Sequence, residues 1–179
     1  MVRHLSGTKH TLTETSFIAQ ASLLAALAVI MHSVEALLPP LIAGVPVKLG
    51  LANIFTLLAV MRLGNGYAAS IVVVRCLLGT LISGSVSSLP YSLVGALLSL
   101  LIMVLLEPVR RLDKLSPIGI STASAFMFNI GQLAVGCIAV GKAMLYYFPL
   151  MSLFSIPTGV FTGLIAYYID KGIKNKNHA

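Results

Sequence analysis

The stretch Tyr67–Ile82, YAASIVVVRCLLGTLI, is an apolar run with the composition of a membrane helix and a single charge, Arg75. No acidic residue lies near Arg75 in the sequence. A cation in the middle of a membrane span costs several kcal/mol unless it faces protein, water or a bound anion. The sequence therefore predicts that Arg75 points into a bundle of helices and has a partner there.

The rest of the chain has the same character. Hydrophobic residues make up 58% of the 179 residues and charged residues only 9%, which is far from the composition of soluble domains. Apolar runs long enough to cross about 30 Å of hydrocarbon predict an all-α membrane protein, a bundle of six transmembrane helices. The predicted spans are Phe17–Leu38, Lys48–Leu63, Tyr67–Ile82, Pro90–Leu106, Pro117–Val140 and Met144–Tyr168.

The basic residues indicate an orientation. Of the twelve Lys and Arg residues, nine flank one end of the predicted bundle, and only Lys48 and Lys142 lie at the other. Short cytoplasmic loops carry an excess of Lys and Arg, so we expect a multi-pass protein of the cell membrane with both termini cytoplasmic. Residues 1–16 are then a cytoplasmic segment, 17–168 the transmembrane domain and 169–179 a basic cytoplasmic tail. The net charge of +7 is explained by contact with anionic lipid head groups and requires no nucleic acid.

In this orientation, polar residues of four predicted helices fall in the outer half of the bundle. Residues three apart share a helix face, so His32 lies on one face with Glu35, and Asn129 on one face with Gln132. The whole set predicts a polar pocket open to the exterior. Asn53 is expected to pack between helices. The predicted substrate-binding residues are His32, Glu35, Lys48, Arg75, Asn129 and Gln132.

The charge of this pocket suggests its ligand. Lys48, Arg75 and Glu35 with a neutral His32 leave one positive charge in excess, which favours a carboxylate or a phosphate read by Arg75. The His32/Glu35 pair has an alternative role, an internal hydrogen bond or a salt bridge to Arg75 or Lys48 that locks the bundle. Asn129 and Gln132 of the fifth helix also have an alternative role, which is to form hydrogen bonds between helices.

Two helices carry signals for close packing. Ala21 and Ala25 belong to the same stripe of the first helix as His32 and Glu35, and small residues let another helix approach. In the sixth helix Gly159-x-x-x-Gly163 gives the same signal, while Pro149 and Pro157 are expected to kink the helix or delay its start.

Catalytic signatures are weak. The spacing in Gly79–Ser85 imitates a phosphate-binding loop but lacks its lysine. Only five carboxylates are present, and they are too scattered to group around a metal ion as magnesium-dependent diphosphate chemistry requires. We therefore expect no enzymatic activity, no metal and no cofactor.

Three ordered motifs carry a family resemblance that extends from His32 to about Gly163. They are VPVKLGLANI in Val45–Ile54, RCLLGT in Arg75–Thr80 and NIGQL in Asn129–Leu133. Together they resemble the Gx transporter family, which is also labelled heptaprenyl diphosphate synthase component I. Such proteins look like the S components of energy-coupling factor transporters.

The resemblance implies six helices that capture a small molecule outside and work with a transmembrane T subunit and ATPase subunits. It also implies that the segment Ala21-Ser-Leu-Leu-Ala25 meets the T subunit. The pocket positions that it implies are Lys48, Arg75, Asn129 and Gln132. The synthase label fits poorly, because prenyl synthases rely on paired Asp-rich motifs and this chain has none.

The expected function is thus a substrate-binding subunit of an importer for a small, anionic, vitamin-, quinone- or isoprenoid-related molecule. The alternatives are a non-catalytic membrane accessory of quinone or isoprenoid biosynthesis or of flavin-based extracellular electron transfer, and a component of an isoprenoid enzyme.

Overall fold

The structure, a computed structural model, describes residues 4–37 and 48–176. Leu38, where the first predicted span ends, and Val45–Val47 of the first motif lie outside the described residues. Every regular element within these ranges is helical, with short 3₁₀ turns at Val86–Ser88 and Lys142–Tyr147. The α-helices are α1 His4–Ala36, α2 Asn53–Arg62, α3 Asn65–Ile82, α4 Leu89–Arg111, α5 Pro117–Ala139 and α6 Phe148–Lys176.

The described helices confirm an all-α, membrane-embedded protein. Five of them, α1 and α3 to α6, are long and apolar enough to cross a membrane. The short helix α2 has 10 residues, a length of about 15 Å and so only half of the hydrocarbon thickness.

The predicted second span, Lys48–Leu63, is therefore wrong in its first part. Lys48–Gly50 is not helical, and Gly50 has a φ of 84°, a left-handed conformation that costs glycine little. The backbone here is hydrogen-bonded to side chains of other helices, so the regular helix begins only at Asn53.

The short helix occupies the centre of the bundle. The five long helices pack in the order α1, α3, α4, α5, α6, and α2 contacts every one of them. Seven of its residues are buried, from Asn53 to Val60. Consecutive helices run in opposite directions, so the bundle has two ends. We call the end with Ala36, Ile82 and Leu89 the site end, and the end with Arg62 and Arg111 the tail end.

The tail end is closed by an ion pair between α2 and α6. Arg62 Nε donates to Asp170 Oδ1 at 2.9 Å, and Arg62 Nη2 donates to the Asp170 carbonyl oxygen at 2.8 Å. Helix α6 reaches this contact because it continues beyond Tyr168, the end of the predicted span, to Lys176. Its start is delayed to Phe148, as Pro149 predicted, while Pro157 lies inside the helix.

Glycines allow α4, α5 and α6 to approach closely. A Cβ at Gly131 would lie 2.7 Å from the Gly95 Cα on α4, and a Cβ at Gly159 would lie 2.5 Å from the Thr122 Cα on α5. Gly163 has the same relation to Ile118 at 2.6 Å. The close packing predicted for Gly159-x-x-x-Gly163 is confirmed, and its partner is α5 of the same chain.

We predict that Gly159→Ala lowers the free energy of unfolding by about 1–3 kcal/mol, because the added methyl group overlaps the α5 backbone. Gly172→Ala in the same helix is the matched control, since its Cβ would meet nothing within 4 Å. There the lower helix propensity of glycine makes alanine neutral or stabilising by up to about 1 kcal/mol. Thermal unfolding in detergent measures both, and equal effects would contradict the packing argument.

Candidate functional site

All six residues predicted for the pocket are buried, with exposures between 0% for Gln132 and 9% for Asn129. They come from α1, the segment before α2, α3 and α5. The structure brings five of them together near the site end and directs Asn129 elsewhere, as the contacts below show.

Lys48 is held through its own backbone. Its N–H donates to Gln132 Oε1 at 3.0 Å, and its carbonyl oxygen accepts from Gln132 Nε2 at 3.1 Å. One carboxamide on α5 thus satisfies both backbone groups of Lys48. Non-helical backbone at membrane depth is tolerated only where the protein or water satisfies it, and Gln132 meets that requirement.

The next turn of backbone is held by Glu35 on α1. Glu35 Oε1 accepts hydrogen bonds from the backbone N–H groups of Gly50 and, at 3.4 Å, Leu51. Of the two roles left open for Glu35, the structure therefore shows a locking contact, although to backbone rather than to Arg75 or Lys48.

The Lys48 side chain points to the other member of the α1 pair. Lys48 Nζ lies 2.7 Å from His32 Nε2. With Lys48 as an ammonium group, which has only donors, Nε2 accepts and the imidazole is neutral. His32 also packs against α3, where a Cβ at Gly79 would lie 2.5 Å from its Cδ2. Gly79 is one turn beyond Arg75, so this contact joins the Lys48 side of the cluster to the Arg75 side.

Arg75 is 2% exposed and only partly satisfied. Its Nη2 donates to Asn53 Oδ1 at 2.5 Å. Its Nε is buried and has no hydrogen-bond partner within the described residues. Glu35 and Lys48 are close enough to act on Arg75 electrostatically, yet in the described part of the chain no carboxylate forms an ion pair with it. A buried guanidinium nitrogen without a partner is costly.

Two assignments are changed by these contacts. Asn53 was expected to pack between helices, and the structure shows that it also accepts a hydrogen bond from Arg75. Asn129 does not join the cluster: its Nδ2 donates to the Met151 carbonyl oxygen on α6 at 2.8 Å. That bond is the interhelical role left open for it.

The α1 stripe faces the inside of the bundle. Ala28, His32 and Glu35 are buried, and Ala25 is half-buried and packs against the core. Ala21 is half-buried. The half of the stripe nearer the tail end thus keeps a partly accessible edge.

Together, the fold and the site define a class: a membrane-embedded helical protein with a buried, positively charged polar cluster at one end. The chain matches the family of heptaprenyl diphosphate synthase component I over residues 24–169 and belongs to it. No curated protein matches the chain. No solved structure matches it either.

We predict that Asn53→Ala lowers the free energy of unfolding by about 1–3 kcal/mol, because a second Arg75 nitrogen would then be buried without an acceptor. Asn53→Asp keeps an oxygen at that place and adds an opposite charge, so we expect it to be clearly more stable than Asn53→Ala. Thermal unfolding of the purified variants measures the difference. Two variants of equal stability would show that Asn53 does not hold Arg75.

Proposed function

We propose that this protein is the substrate-binding subunit of an energy-coupling factor type importer, and that it captures a small anionic molecule from outside the cell. The observation that carries the proposal is Arg75, a buried cation with an unpartnered Nε and a neutral amide as its hydrogen-bond acceptor. The ligand class is a vitamin-, quinone- or isoprenoid-related compound with a carboxylate or phosphate group.

The electrostatics of the cluster support an anion. Lys48 and Arg75 contribute two positive charges, Glu35 one negative charge, and His32 none in its accepting tautomer. Glu35 directs one oxygen to backbone amides, and within the described residues its carboxylate forms no ion pair with either cation. A bound carboxylate or phosphate would complete the charge balance and accept the free donor of Arg75.

The carboxylates support a role without catalysis. Asp170 is paired with Arg62 at the tail end, and Glu107 accepts hydrogen bonds from Arg110 and Arg111. Glu35 belongs to the site end. Within the described residues no three His, Cys, Asp or Glu side chains gather into a metal site. In this proposal any ATP dependence belongs to partner chains.

The partners in this proposal are a transmembrane T subunit and ATPase subunits. The T subunit is placed on the Ala21/Ala25 edge of α1. The proposed orientation rests on the basic residues at the tail end, which favour a cytoplasmic side for both termini and an external side for the site end. Lipids surround the exposed apolar faces of the long helices.

The family description, heptaprenyl diphosphate synthase component I, is compatible with a second candidate, a membrane accessory of isoprenoid biosynthesis. A diphosphate group would also suit Lys48 and Arg75, so the ligand alone does not separate the two candidates. Association with ATPase subunits does, because only the importer requires them.

We predict that Arg75→Ala weakens binding of an anionic ligand by about 10- to 100-fold, the loss expected for a charge-assisted hydrogen bond. Calorimetry with inorganic diphosphate and with benzoate as probes measures this. Arg111→Ala is the control, because Arg111 is a largely exposed cation at the tail end. Equal affinities of the wild type and Arg75→Ala would contradict the proposed site.

We predict that Ala25→Leu prevents co-purification of the T and ATPase subunits and leaves anion binding intact, since the larger side chain blocks helix approach. Ala26→Leu, on the adjacent exposed face of α1, should have no effect. Retained co-purification would move the partner surface elsewhere.

We further predict that the isolated chain neither hydrolyses ATP nor elongates prenyl diphosphates. Phosphate and diphosphate release in lipid measures both activities. Metal-dependent diphosphate release that disappears on substitution of Glu35 or Asp113 would restore the synthase role.

A further inference from the structure

The non-helical segment Lys48–Ala52, which we call the strap, joins two helices that do not pack on each other. Helices α1 and α5 share no packing contact, yet Glu35 on α1 and Gln132 on α5 both hold the strap. We propose that Glu35 and Gln132 are positioning residues that aim Lys48 at the bound anion, while Lys48 and Arg75 contact it. This inference rests on the proposed function and divides its site residues into two roles.

Two side chains hold four backbone groups of the strap. The N–H and carbonyl groups of Lys48 and the N–H groups of Gly50 and Leu51 are bonded to these two side chains. Fixing the peptide groups on both sides of a residue fixes the direction of its Cα–Cβ bond. The two Gln132 bonds lie on the peptide groups that flank Lys48, and the two Glu35 bonds fix the backbone that follows. Together they set where the Lys48 side chain starts, and its ammonium group reaches His32.

The unused hydrogen-bonding capacity separates the two roles. Both polar atoms of the Gln132 amide are engaged with the strap. Glu35 accepts two backbone bonds and, as an acid, repels an anion. Lys48 has three donor hydrogens, and one contact, to His32, is seen. The N–H of Arg75 Nε has no acceptor within the described residues. Donors for an anion thus remain on Lys48 and Arg75.

Two substitutions of Glu35 isolate the positioning effect. Glu35→Gln and Glu35→Ala both remove the negative charge, but only glutamine keeps an oxygen that accepts from Gly50 and Leu51. We expect Glu35→Gln to bind inorganic diphosphate at least as tightly as the wild type, because a repulsive charge is gone. We expect Glu35→Ala to bind it about tenfold more weakly than Glu35→Gln, because the strap is released.

A matched pair on α5 tests Gln132. Gln132→Leu removes both bonds to Lys48, whereas Asn129→Leu, one turn earlier, removes a bond to α6 and leaves the strap untouched. Only Gln132→Leu should make the Lys48 backbone amide exchange faster and weaken diphosphate binding by about tenfold or more.

The experiment combines calorimetry with amide hydrogen exchange of the full chain in lipid nanodiscs. Glu35→Ala should lose protection from exchange at Gly50 and Leu51 and should bind diphosphate weakly. Glu35→Gln should keep that protection and should bind diphosphate at least as tightly as the wild type. Equal binding by these two variants, or binding abolished in both, would overturn the positioning role; the second result would make Glu35 a ligand contact. A wild type that binds neither diphosphate nor benzoate would instead refute the proposed function, whatever the exchange data show.

Discussion

The arrangement of the site end depends on hydrogen bonds from side chains to a backbone that is not helical. In hydrocarbon, each unsatisfied N–H or C=O group costs several kcal/mol, so chains normally cross it as uninterrupted helices. Here the strap interrupts the regular structure, and Glu35 and Gln132 supply the bonds that an additional turn of α2 would have made. The shortness of α2, the direction of Lys48 and the start of the helix at Asn53 all follow from that replacement.

Much of the fold was predictable because membrane helices are read from composition. The apolar runs gave the five long helices to within a few residues at most ends, and Gly159-x-x-x-Gly163 gave a close helix contact. The second span was misjudged because Lys48–Ala52 is apolar apart from Lys48 and looks like a helix start. Its actual conformation depends on the left-handed Gly50 and on partners more than ten residues away in the sequence, which hydropathy does not register.

The site was predictable in composition and less so in its contacts. Spacing placed His32 with Glu35 on one face, and the structure buries both. Spacing also grouped Asn129 with Gln132, but residues three apart diverge enough for one to bond α6 and the other the strap. Asn53 shows the converse, since a neutral side chain gives no charge pattern to signal that it accepts from Arg75. Contacts of this kind are set by the packing of three or more helices at once.

The central position of α2 also changes how the protein meets membranes of different thickness. A lipid-facing helix of about 15 Å would force the bilayer to thin around it, at a cost that grows with each ångström of mismatch. None of the residues of α2 is exposed, so its length carries no such cost. Only the five surrounding helices must match the thickness of the bilayer. The length of α2 is set instead by its two end contacts, Asn53 with Arg75 and Arg62 with Asp170.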